Sequence, residues 1–110
     1  MEDMTYIQVI TTTETKEQAQ AIVRHLVEEG LAACAQILDA VESTYRWKEK
    51  IETARETMCL IKTRNDLYPQ VEAAIKKRHP YETPEIIALP ILHGSDDYLK
   101  WLDGSLRRSL

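Results

Sequence analysis

An α+β domain with a ferredoxin-like, split-βαβ sheet is the fold class the sequence predicts, on three observations. The apolar patterns run strand, helix, strand, strand, helix, strand and then a short terminal helix, an order that gives a four-stranded sheet with its helices on one face. The two longer helical windows each carry an amphipathic stripe, and the strands between them are rich in β-branched and apolar residues. At 110 residues the chain has the size of a single domain, residues 1–110, without an interdomain linker or internal sequence repeat. Such a domain buries only about two-thirds of its unfolded surface, so an isolated copy has a modest core.

The first strand is expected over Thr5–Thr13, where Tyr6, Ile7, Val9 and Ile10 precede a threonine run. Thr15 and Gln18 have capping-box spacing, Ala19, Ile22, Val23, Leu26 and Val27 follow at helical intervals, and Gly30 stands where a left-handed residue ends a helix. Two strands forming a long hairpin are expected over residues 31–45 and 57–63, with Leu31, Ala33, Ala35 and Ile37 sharing a side. The turn at Lys48-Glu49-Lys50 has none of the Asn-Gly or Asp-Gly chemistry of tight hairpins. Asn65 or Asp66 can cap a second helix with Pro69 in its first turn, and Leu67, Val71, Ala74 and Ile75 form its stripe. Ile86–Ile91 reads as a strand whose Pro90 suits an edge or a bulge, and Ser95 opens a last helix containing Tyr98, Leu99, Trp101 and Leu102. With helices on one face only, the other face and the hairpin expose Tyr45, Trp47 and further apolar groups, and oligomerisation is the simplest cover.

The balance of 14 Lys and Arg against 18 Asp and Glu gives a formal charge of -4, which supplies no field for nucleic acid or an anionic membrane. Neither is expected as a partner. The start, Met1-Glu2-Asp3-Met4, lacks the basic and apolar regions of a secretory signal, and no stretch reaches membrane-spanning length, so a cytoplasmic location is expected. Cys34 and Cys59 have no metal-type spacing and are expected as reduced thiols. The basic clusters Lys76-Lys77-Arg78 and Arg107-Arg108 suit helix ends.

The chemistry concentrates in His79-Pro80-Tyr81-Glu82-Thr83-Pro84-Glu85-Ile86, an imidazole, a phenol and two carboxylates on a backbone stiffened by two prolines. Each proline drives the residue before it, His79 or Thr83, out of the helical region, so the polar groups fall at a helix-to-strand corner. A deprotonated Cys34 is a soft metal donor and His79 a borderline one, a combination suited to copper or, with further donors, to zinc. Cys59, between Met58 and Leu60, reads as core, and His25 and His93 read as surface residues. The chain has no Ser-His-Asp pattern, His-Glu-x-x-His motif, Walker loop or dinucleotide glycine fingerprint.

Four further segments complete a pattern with this corner: Ala32-Ala33-Cys34-Ala35-Gln36-Ile37; Tyr45-Arg46-Trp47-Lys48 before Ile51-Glu52; Leu60-Ile61-Lys62-Thr63; and Ala88-Leu89-Pro90-Ile91 before Gly94 and Tyr98-Leu99-Lys100-Trp101-Leu102. Together they resemble the divalent-cation tolerance (CutA) family over nearly the whole chain. The resemblance implies a tight homotrimer similar to the PII nitrogen-signalling trimers, and a non-catalytic role in divalent-metal tolerance or small-ligand sensing, without an obligatory cofactor. It carries Cys34 and His79 over as copper candidates. It sets Lys62 beside Glu56 and the Tyr81-Glu82 corner as an anion or carboxylate clamp, while Trp47 and Trp101 suit either the lining of a ligand pocket or an oligomer interface. Two departures stand out: Thr11-Thr12-Thr13 lies where some members have a further cysteine, and Glu49 where the family often has glycine. Two alternatives fit the same residues, an enzyme using His79, Tyr81, Glu82 and Lys62 for acid–base work, and a structural trimer that scaffolds other proteins.

Overall fold

The computed structural model describes residues 6–108 and contains, in order, β1 (Tyr6–Thr13), α1 (Lys16–Glu28), β2 (Cys34–Trp47), β3 (Lys50–Arg64), α2 (Tyr68–Arg78), β4 (Ile86–Ile91) and α3 (Asp96–Gly104). The expected strand start at Thr5 lies outside the described residues. The four strands form one antiparallel sheet in the order β2-β3-β1-β4, the arrangement expected of two interleaved βαβ halves.

Helix α1 begins with both halves of the expected capping box, since the Thr15 side chain accepts from the Gln18 amide and the Gln18 side chain accepts from the Thr15 amide. It ends in a Schellman motif: Gly30 takes a φ of +70° and its N–H bonds to the Val27 carbonyl, while the Leu31 N–H reaches Leu26. That turn consumes residues 31–33, which is why β2 starts at Cys34 rather than at Leu31.

The start of α2 differs from the capped helix expected. Asn65–Leu67 forms a 3-10 turn, Leu67 occupies the cap position, and Asp66 instead receives the Arg64 guanidinium at 2.7 Å. At the other end His79 is extended, with φ -85° and ψ 135°, as Pro80 demands.

Register divides the sheet into two faces. One face carries Ile7, Val9, Cys59 and Ile61 and packs against Ala19, Ile22 and Leu26 of α1 and Val71 and Ile75 of α2. The opposite face carries Gln8 and Ile10 of β1, Cys34, Gln36 and Leu38 of β2, Leu60 and Lys62 of β3, and Ile87 and Leu89 of β4. Helix α3 does not join the other two helices, and this departs from the single helical face expected. It lies at one end of the opposite face, where Asp103 accepts from the Tyr6 hydroxyl and from Arg64.

β1 ends where Thr13 pairs with Thr57, but β2 and β3 continue to the Trp47–Lys50 pair. β3 is therefore longer than the expected 57–63, and its first seven residues project roughly 23 Å as a two-stranded ribbon. At the base of that ribbon Asp39 and Ala40 both oppose Thr57, a β-bulge with Ala40 at φ +61° and the Thr57 hydroxyl bonded to the Asp39 carboxylate.

Candidate functional site

The predicted site residues fall into two groups, at opposite ends of the sheet. The first is the corner. His79 is 9 % exposed, and its Nε2 lies 2.7 Å from the Thr12 carbonyl. A carbonyl only accepts, so Nε2 carries the proton; Nδ1 then presents its lone pair, which accepts from the Tyr81 N–H at 3.2 Å. The His79 and Tyr81 rings touch in a tilted arrangement, centroids 4.8 Å apart and planes at 55°, and the Tyr81 hydroxyl donates to Glu56 at 2.7 Å. Burial, and next the bond to Glu56, push the Tyr81 phenol well above its ordinary range, so it stays protonated. The corner thus clamps the end of α2 to β1 through His79 and to the base of the hairpin through Tyr81.

The second group lies on the face without α1 and α2. Cys34 pairs with Lys62, and Lys62 with Gln8, in one cross-strand row. Cys34 is half-buried, and its Sγ is 3.4 Å from the Tyr98 hydroxyl of α3. That contact, followed by burial, raises the Tyr98 phenol above its ordinary value. The Tyr98 ring in turn lies against exposed Trp101, with centroids 5.6 Å apart. Lys62 donates to Gln36 Oε1 at 2.6 Å.

Several expectations change with this geometry. The Cys34–His79 pair does not form within one chain, because Cys34 shares a row with Gln8 while His79 is bonded at Thr12, four strand residues and about 13 Å further along β1. Lys62 is six residues from Glu56 on β3, about 20 Å, so within one chain it is not beside the Tyr81-Glu82 corner. The acid–base cluster of the enzyme alternative is separated in the same way, with His79 and Tyr81 together, Glu82 exposed, and Lys62 at the other end. Cys59 is core as expected, and burial pushes its thiol up to about 11. Among the described residues no three His, Cys, Asp or Glu side chains gather closely enough to hold a metal ion.

The partners that complete each group carried little or no sequence signal. The Thr12 group is a backbone carbonyl, and Tyr98 lies 64 residues from Cys34. The family pattern groups Glu56, Lys62 and the Tyr81-Glu82 corner; the 2.7 Å bond from Tyr81 keeps Glu56 at that corner, and the length of β3 takes Lys62 away from it.

Comparisons with known proteins agree over nearly the whole chain. The profile of the CutA1 divalent ion tolerance protein family matches residues 7–105. The chain is 42% identical over 94 residues to the divalent-cation tolerance protein CutA of Thermus thermophilus, covering 86% of this chain and 91% of that one. It is 37% identical over 103 residues to an Escherichia coli protein of the same name, covering 94% and 92% respectively. It is also 40% identical to chloroplastic CutA of Arabidopsis thaliana, of which it spans 56%. The fold superposes on CutA1 from Oryza sativa with a TM-score of 0.93 at 39% identity, covering 96% of each chain. On the Thermus thermophilus structure it does so with a TM-score of 0.90, covering 93% of this chain and 99% of that one. The family and its Thermus thermophilus and Escherichia coli members are named for tolerance and not for a catalysed reaction. The chain belongs to the CutA1 divalent ion tolerance family.

Proposed function

We propose that the chain works as a non-catalytic, cytoplasmic homotrimer in the response to divalent cations, holding copper or a similar thiophilic ion at Cys34 and a small ligand along the adjoining Lys62 and Trp101. The observation that carries this reading is the position of Cys34 on a sheet face that α1 and α2 leave bare. There Leu38, Ile87 and Leu89 are 44, 47 and 47% exposed, an apolar face that a second and third copy of the chain would cover. A thiol beside that face lies at or near a subunit boundary, where donors from another copy become available. His79 takes no part in the coordination proposed, because both ring nitrogens are already bonded in the chain. Tyr81 and Glu82 belong to the opposite end and join a ligand site only if a neighbouring subunit supplies them. The two free thiols fit a reducing compartment.

Copper titration with equilibrium dialysis tests the metal half. The wild type should bind copper and the Cys34→Ser variant should lose most of that binding, whereas His79→Gln should retain it. Binding should also weaken in acid, as protons compete for the thiolate. Copper uptake no greater than that of an unrelated cytosolic protein, or full retention by Cys34→Ser, rejects the site. Light scattering tests assembly, and a mass of one chain rejects the trimer.

A further inference from the structure

We propose that the His79 imidazole is a proton-operated latch: neutral, it holds the corner that follows α2 and the base of the hairpin together through Thr12 and Tyr81, and charged, it lets them go.

The tautomer makes the case. Nε2–H donates to the Thr12 carbonyl at 2.7 Å and Nδ1 accepts from the Tyr81 amide at 3.2 Å, so the ring uses one donor and one acceptor, which only the neutral form provides. A proton added at Nδ1 sets an N–H against the Tyr81 N–H. The two donors repel, and the Tyr81 amide loses its partner. Because the Tyr81 ring also lies against the imidazole, tilted at 55°, and its hydroxyl bonds Glu56, the disturbance passes to β3 where the hairpin leaves the sheet. The imidazole thus joins β1, the corner and, one residue removed, the hairpin base.

The charged and titratable groups on this site are Glu56 of β3, facing both rings, the Tyr81 phenol itself, and Glu14 and Tyr45, which act on Tyr81. Burial is the largest influence on His79 and holds it below its ordinary 6.5, against the opposing pull of the Thr12 carbonyl and Glu56. The unfolded chain therefore takes up the proton first. The latch contributes fully above 6.5, and its contribution is lost as pH falls from there through the lower folded value.

Amide hydrogen exchange at Tyr81, corrected for the intrinsic pH dependence of exchange, provides the test. Between about pH 7.5 and about pH 5 the wild type should lose at least about threefold in protection at Tyr81, more than at core amides such as Ile61. His79→Gln keeps a donor for Thr12 but does not titrate, and its Tyr81 protection should change less than about twofold over the same range. Equal losses in the two proteins, or no loss in the wild type, overturn the latch. Should the variant fail to fold, ring nitrogen shifts of the wild type decide alone. An Nε2–H tautomer with a midpoint below 6.5 supports the proposal, whereas an Nδ1–H tautomer or a midpoint at or above 6.5 overturns it.

Discussion

At the His79 corner the imidazole, the phenol and the Glu56 carboxylate are bonded to one another or to backbone of the same chain, whereas along the Cys34 row the thiol has one 3.4 Å neighbour and Lys62 has one glutamine. Both ends contain residues that sequence reasoning marks for chemistry. They differ in what the chain has left over: the corner spends its polar groups on holding the fold, and the open row keeps groups that a partner or a ligand can take up. Residue type marks both ends alike, and only hydrogen-bond accounting separates them.

The strongest way to break this comparison is to make the open face unfit for a partner. Leu89→Glu places a carboxylate at a leucine 47% exposed in one chain. If three copies close over that face, each loses the burial of the remaining exposed half of a leucine, about 0.7–1.5 kcal/mol, and three like charges are brought together. The expected outcome is loss of the trimer by light scattering, with the far-ultraviolet spectrum of the fold retained. A trimer that survives would mean the open face is not what assembly covers.

Within the chain the larger loss should come from the closed end. His79→Ala orphans the Thr12 carbonyl and the Tyr81 amide and leaves a cavity, which should cost about 3 kcal/mol, since each buried unpaired group costs about 1–3 kcal/mol. Tyr81→Phe leaves Glu56, which is 9% exposed, without its 2.7 Å donor and should cost about 2 kcal/mol. Cys34→Ser and Lys62→Met should each cost less than about 1 kcal/mol, because their partners remain open to other groups. Denaturant melts at fixed protein concentration and neutral pH read all four variants. A Cys34→Ser loss as large as that of His79→Ala would remove the distinction between the two ends.

Much of the closed end was legible in the sequence and little of the open one. Pro80 and Pro84 announce a corner through backbone sterics alone, the Thr15–Gln18 box and Gly30 fix both ends of α1, and Ile7, Val9, Ala19, Ile22, Leu26, Val71 and Ile75 fall on the core face as expected, whereas Ile10 faces the other side of the sheet and Val27 is exposed. These signals are local, read within a few residues. The side-chain partnerships are not. Whether His79 meets Cys34 or Thr12 depends on which strand row each occupies, and a two-residue bulge at Asp39 and Ala40 shifts β2 against β3 without a glycine to mark it. The start of α2 was misread for a related reason: Asp66 has the chemistry of a cap, but Arg64, two residues away, competes for its carboxylate.

The smallest effect concerns the hairpin tip, which belongs to the part of the chain with the fewest anchors in its own body. Trp47 pairs with Lys50, so Lys48 and Glu49 form a two-residue loop, and their φ values of +51° and +69° are those of a type I′ turn. Neither residue is glycine or asparagine, and a left-handed conformation costs an ordinary L-residue about 1–2 kcal/mol. Glu49→Gly relieves that strain at one position, but glycine also adds about 0.5–1 kcal/mol of freedom to the unfolded chain. The net expectation is a stabilisation of about 0.5–1 kcal/mol, visible as a small rise in the denaturant midpoint with unchanged slope. Lys50→Gly supplies the control, since Lys50 is a β3 residue outside the positive-φ set and glycine there should destabilise by about 0.5–1 kcal/mol. Opposite signs at two neighbouring positions would locate the strain in the turn, whereas a loss at both would show that the tip relaxes without help and that β2 and β3 are held from elsewhere.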